Sequence, residues 1–294
     1  MSGDPAAAPD GARRMPSWLL LRRAASLGRT RVGLAIVAVV VAVALVGPWI
    51  APHGPTSFVA PPYSASVPGA LLGSDNLGRD VLSRFLWGGR SVLALAIGAT
   101  ILGLAGGIVV GLLAAYARGI VDEALMRAMD VLLAFPQIVF VLLLVASFGP
   151  LLWLIVLTVA ASHVPRVARV TRGAALVVVE RDFVRAAEAL GEPRWRILFA
   201  EILPNISSPL LVEFGLRLTY SIGLVAAVSF MGFGLQPPAA DWGLMINENR
   251  IGLVLQPWPV LLPVAAIGLL TIGVNLVTDG VDRVAIGLDR KAGP

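Results

Sequence analysis

The sequence contains no cysteine, one lysine and two histidines. Without cysteine the chain forms no disulfide, runs no thiol chemistry and offers no thiolate to a metal. His53 and His163 lie far apart, and no acidic or histidine cluster has metal-ligand spacing, so no metal site is expected. The lone lysine, Lys291, is followed by alanine; a phosphate-cradling loop ending in Gly-Lys-Ser/Thr is therefore excluded. Charge is also scarce. Charged residues make up 14% of the 294, against 57% hydrophobic, and the mean hydropathy is +0.84. That composition excludes an ordinary soluble domain. The net charge of +5 comes from arginines beside apolar runs, which suits anionic lipid headgroups and not nucleic acid. Catalytic residues are expected to be absent.

What is present is a series of charge-free runs long enough to cross a bilayer, which needs about 20 apolar residues each. They predict an all-α polytopic membrane protein with six transmembrane helices: 32–51, 91–117, two spans within 131–165 divided at Gly149-Pro150, about 208–233 and about 258–277. Pro136, followed by Gln137, predicts a kink early in the third. The organisation expected is a basic segment 1–31, a first span 32–51, a linker with amphipathic helix 52–90, a core domain 91–280 and a tail 281–294. With the N-terminus inside, eighteen of the 23 Lys and Arg fall on inner segments and four on outer ones, with Arg217 inside a span. The positive-inside bias thus predicts that both termini are cytosolic, in a multi-pass protein expected in the plasma (cell inner) membrane.

Residues 51–73, with Pro52, Pro55, Pro61, Pro62 and Pro68, read as a linker. In 73–90, Ser74 or Asp75 is a candidate cap, and Leu77, Val81, Leu82 and Phe85 form one face. Asp80 and Arg84 pair at i, i+4, and Gly88-Gly89 ends the helix. The span from Ser91 carries a small-residue seam, Ala99, Gly103, Gly107, Gly111 and Ala115, that lets another helix approach closely. His163 reads as a histidine satisfied locally. Glu213 and Arg217, one turn apart inside a span, either neutralise each other or line a solute path.

The stretch 181–205 is the longest charged, patterned segment between apolar runs. Phe183, Ala186, Ala187 and Leu190 form one apolar face, and Gly191 suits a left-handed helix end. Pro193 opens a second helix with Trp195, Leu198, Phe199 and Ile202, limited by Pro204. The result is a helix-turn-helix knob with small alanines where another protein would come close. It resembles the cytoplasmic coupling motif of permease subunits in ATP-driven importers, with Ala186, Ala187, Gly191, Leu203 and Pro204 at the matching spacings. Arg185 replaces that motif's glutamate and Glu201 its isoleucine.

Together with 73–93, 130–144 and 233–246, the knob makes the chain similar to the C-type permease subunit of dipeptide, oligopeptide and nickel importers, from about Arg29 to Lys291. The resemblance implies the type I importer permease fold and four kinds of partner: a related B-type permease, two cytosolic ATPase subunits or domains, an external substrate-binding protein and the lipid bilayer. ATP and Mg would be bound by the ATPases and no cofactor by this chain, which is not expected to be an enzyme. Arg185, Ala186, Ala187, Gly191, Leu203 and Pro204 become the candidate coupling residues. Di- or oligopeptide is the leading cargo, with nickel, a chelated metal or another small solute as the alternative. A secondary carrier or channel competes less well: carriers place ionisable residues in several spans, and this chain offers mainly Glu213 and Arg217.

Overall fold

The computed structural model describes residues 17–287. Among them the regular structure is helical, with only isolated bridges in the stretch 58–80. Five helices are long and apolar enough to cross a membrane, or six when one bent pair counts as a single span.

α1 (Ser17–Ser26) precedes the first span α2 (Gly28–Ile50), so the basic segment is helical well before Val32. α1 buries Leu20 and Ala24 against Val281 and Val284 near the chain's other end. α3 (Val81–Ala117) runs 37 residues without interruption, through the Arg90/Ser91 boundary that the sequence suggested. Two details explain this. Asp80 is the cap, accepting from Ser83 N–H, so the turn-rich stretch before it is not helix. Gly88 and Gly89 do not end the helix. A Cβ on Gly89 would lie 2.6 Å from Ala44 Cβ and from the Trp242 ring, so the glycine pair is a notch that admits two neighbours.

α4 (Gly119–Ala134) and α5 (Gln137–Phe148) meet at Phe135-Pro136 with a bend of 82°. The anticipated kink is thus a break, and its first half begins at Gly119, within what reads as a polar connection. α6 (Leu152–Val179) passes through the buried Pro165 and adds the arginines at 166, 169 and 172 to the helix. Inside a bundle, neighbouring helices satisfy the carbonyl that a proline frees. α7 (Asp182–Ala189), α8 (Arg194–Arg196), a π-helical turn (Ile197–Ile202) and α9 (Leu203–Asn205) form the knob. α10 (Ser207–Phe230), the short α11 (Trp242–Asn249) and α12 (Trp258–Ile286) complete the chain, α12 continuing past the expected start of the tail.

The glycine seam finds its partner in the same chain. Cβ atoms on Gly103, Gly107 and Gly111 would lie 2.9 Å from Ala160 O, 2.4 Å from Val167 Cβ and 2.5 Å from Ala168 O, so α3 lies against α6 at backbone distance. In lipid such close packing, and not apolar burial, holds helices together. A central cluster joins α2, α3, α10 and α12 beneath Trp242, and a second core lies under the knob.

Candidate coupling surface and buried polar sites

At the knob, α7 ends in a Schellman turn. Glu192 N–H donates to Ala187 O at 3.1 Å and Gly191 adopts φ +76°. Nothing lies within 4 Å of where a Gly191 Cβ would stand, so only the backbone angle restricts this position. The knob is held to the body by Val184, Ile197, Leu198, Ile202 and Ile206, which pack on Leu112, Ala115, Ala175 and Val178. The leading face of α7, with its alanines, is the outward one, while Leu198 and Ile202 of the second stripe are buried. Phe183 is 42% exposed, Leu190 83% and Trp195 67%, because α7 turns Val184 towards the body, with Ala187 half-buried against the same core. The outward stripe instead walls a groove of about 230 Å³, lined by Phe183, Ala186, Ala187 and Leu190 opposite Ile197 and Glu201.

The candidate coupling residues separate in space. Ala186 and Ala187 line that groove and Gly191 forms the tip. Leu203 and Pro204 border a second apolar groove of about 320 Å³, shared with Leu104, Phe199 and Phe214. Arg185 folds back onto its own chain: its Nη2 donates to Glu180 Oε2 at 3.0 Å, while Glu180 Oε1 accepts from Arg118 Nη2 at 2.5 Å. Hydrogen bonds from Arg118 and then Arg185 hold the Glu180 carboxyl below the usual carboxylate range.

Within α10, Arg217 Nε lies 2.8 Å from Glu213 Oε1, both residues are buried, and the guanidinium sits 5.1 Å over the Tyr220 ring. The two charges neutralise each other at i, i+4, as their spacing indicates. Glu213 also lines a crevice of about 460 Å³ with Leu20, Val170, Val212 and Asp282. His163 is fully buried, and its partners are local in space. Its Nε2 lies 2.9 Å from Ser221 Oγ and its Nδ1 3.3 Å from Gln137 Nε2. Thr100 Oγ1 lies 2.9 Å from Ser221 Oγ and 2.7 Å from Ala96 O. One assignment satisfies every member. Gln137 N–H donates to Nδ1, Nε2–H donates to Ser221, Ser221 to Thr100, and Thr100 to Ala96 O. Four helices are thereby tied at one level of the bundle.

At the other end the loop 51–80 and α11 form a cap containing an ion cluster that local spacing did not reveal. Arg79 Nε donates to Asp75 Oδ2 at 2.6 Å and its Nη2 to Glu248 Oε2 at 2.8 Å. Arg84 Nη2 donates to the same Glu248 oxygen at 2.9 Å, and its Nε lies 3.3 Å from Asp75 Oδ2. Arg84 and Asp75 are fully buried. Arg84 was expected to pair with Asp80, but the Asp80 carboxylate is committed to the cap and to Ser83 Oγ. Trp242 stacks on Phe85, ring centroids 5.6 Å apart, and its Nε1–H donates to Phe85 O at 2.9 Å. Asp241 caps α11 and accepts from Ser91 Oγ at 2.5 Å; burial pushes its carboxyl up, against these hydrogen bonds. Among the described residues no group of three His, Asp or Glu is placed to hold a metal ion.

Residues 107–285 match the family described as binding-protein-dependent transport system inner membrane component, and 30–68 match the N-terminal TM domain of oligopeptide transport permease C. The glutathione transport system permease protein GsiD of Pectobacterium atrosepticum is 40% identical over 204 residues, 69% of this chain and 68% of the relative. The di/tripeptide transport system permease protein DppC of Pseudomonas aeruginosa is 36% identical over 250 residues, 83% and 82% of the two chains. The probable D,D-dipeptide transport system permease protein DdpC of Escherichia coli K12 is 35% identical over 246 residues, 82% and 81%. A match across well over half of the chain, on an all-helical bundle with several membrane-length helices, settles the question of family: the chain belongs to the binding-protein-dependent transport inner membrane components, and is a permease subunit of an ATP-driven importer, not an enzyme.

Proposed function

We propose that this permease imports small peptides, pairs with a related B-type permease, and receives force through its knob from two cytosolic ATPase subunits that bind ATP and Mg. An external binding protein delivers the cargo. Three relatives named for glutathione, di/tripeptides and D,D-dipeptides support a short peptide over nickel. The distribution of arginine supports placing the knob and both termini in the cytosol and the cap outside. In this reading the ATPases close on nucleotide and draw the knobs of both permeases together. The bundle then opens outward to accept cargo, and hydrolysis resets it.

The observation that carries the coupling role is the outward apolar stripe of α7. Phe183 and Leu190 stay exposed on a segment held to the body by its other side, with a groove between them and Ile197. Such a patch marks a partner surface. Glu213 and Arg217 are proposed to face the cargo path, Glu213 from the wall of its crevice.

The test uses the whole importer in proteoliposomes. Gly191→Val forces a β-branched residue to positive φ, at a cost of about 1–3 kcal/mol. Ala187→Asp puts a charge into the groove. Both should leave the permease inserted yet cut transport and its coupling to ATP hydrolysis. Wild-type coupling in both variants would sink the reading.

A further inference from the structure

α4 is held in an unusual way. Of its sixteen residues only Met129 is buried, while Ile120 is 87% exposed and Val131 62%. The other half of the broken span differs: α5 buries Val141 and Val145 against Ile155, Val159 and Val228. Ion pairs tie α4 across to α6, beside its half-buried Leu125, Met126, Leu132 and Leu133. Asp122 receives two hydrogen bonds from Arg172, both 2.5 Å; Asp130 pairs with Arg169; and Arg118, at the head of α4, pairs with Glu180. Each pair crosses to α6 or to the residue that ends it, and Glu180 also takes Arg185 from the knob. Arg118 stands at φ +52°, a conformation rare for a residue with a side chain, so the α3–α4 joint is strained and Glu180 steadies it.

We infer that α4 is an arm of the coupling machinery: the ionic clasp across α6 makes it move with the knob and delivers that motion to the break at Phe135-Pro136. The inference rests on the knob being the ATPase contact. From the break, Gln137 carries the motion inward. Its Nε2 lies 3.2 Å from both Ser162 O and Ser162 Oγ and 3.3 Å from His163 Nδ1, and His163 reaches α10 through Ser221. The knob lies between α6 and α10 in the chain, so the helices it displaces are the two that this network joins. Phe135 and Pro136 are exposed, which leaves the break free to change its angle. Asp122, Arg172 and Glu180 are positioning residues in this inference.

A charge swap in the complete importer, reconstituted with both permeases, ATPases and binding protein, tests this. Asp122→Arg and Arg172→Asp should each leave an assembled complex that still hydrolyses ATP but moves at least about fivefold less peptide per ATP, the low end of usual coupling energies. The two together should restore the ratio, as should Arg172→Lys alone. Glu180→Gln, at an exposed position, should lower the ratio without loss of protein and serves if the reversals fold poorly. Unchanged peptide per ATP in assembled single variants overturns the inference, as does lower yield with normal transport per complex. Gly191→Val separates the two claims. If it uncouples while the clasp variants do not, only the role of α4 falls; if neither uncouples, the knob's role falls as well.

Discussion

The two ends of this permease handle charge in opposite ways. At the cap, two arginines and two carboxylates form a closed set, with side-chain exposures of 0–10%. At the knob, Arg118, Glu180 and Arg185 are 52–64% exposed. A buried set is costly to break and fixes one arrangement; exposed pairs contribute little to stability and rearrange readily. The cap is therefore built to stay as it is, whereas the pairs beside the knob are free to rearrange.

The largest expected effect breaks the rigid end. Arg84→Ala leaves a cavity and an uncompensated carboxylate, and should cost about 3–5 kcal/mol, read as a lower melting temperature of the purified complex. A loss under about 1 kcal/mol would show the cap to be as loose as the knob. The buried pair in α10 sharpens the comparison, because it is a cap-like pair within a span. Glu213→Gln should cost about 1–3 kcal/mol by stranding Arg217, and adding Arg217→Gln should recover part of that. Altered peptide preference in either single variant supports a path-lining role; unchanged preference limits the pair to structure. At the knob, Arg185→Ala should change stability by about 1 kcal/mol or less.

The smallest effect is that of pH. A depressed carboxyl contributes above its ordinary range and loses its contribution only as pH falls through its lowered value. The wild type and Glu180→Gln should therefore keep a constant ratio of peptide moved per ATP between about pH 8 and about pH 5.5. A steep change in that ratio across the interval would place the Glu180 carboxyl higher than its two arginines allow.

Much of this was legible in the sequence where the determinants are local. Gly191 announces its turn because few other residues accept positive φ, and the seam on α3 is visible as a four-residue repeat of small residues. Long charge-free runs locate most of the spans. What was not legible depends on partners distant in the chain. A periodic stripe on α7 says that one face is apolar, but not that Val184, off that stripe, docks the helix on the body. Local spacing paired Arg84 with Asp80, four residues away, whereas the fold pairs it with Glu248. Gly88-Gly89 ends helices in water but makes room in a packed bundle, and only Trp242, far along the chain, decides between them. Pro136 signals a bend but not its angle of 82°.

The unbroken length of α3 makes it a pointer. At about 1.5 Å per residue it extends roughly 39 Å from Gly107, in the seam, to Val81 at the cap. A tilt of roughly 10° about that seam would sweep its far tip through roughly 7 Å, while atoms beside the pivot barely move. A fluorophore on that tip paired with one on a neighbouring subunit would thus magnify a small tilt at the seam. In a chain without native thiols, such dyes can be attached to two introduced cysteines with no background labelling of the subunit.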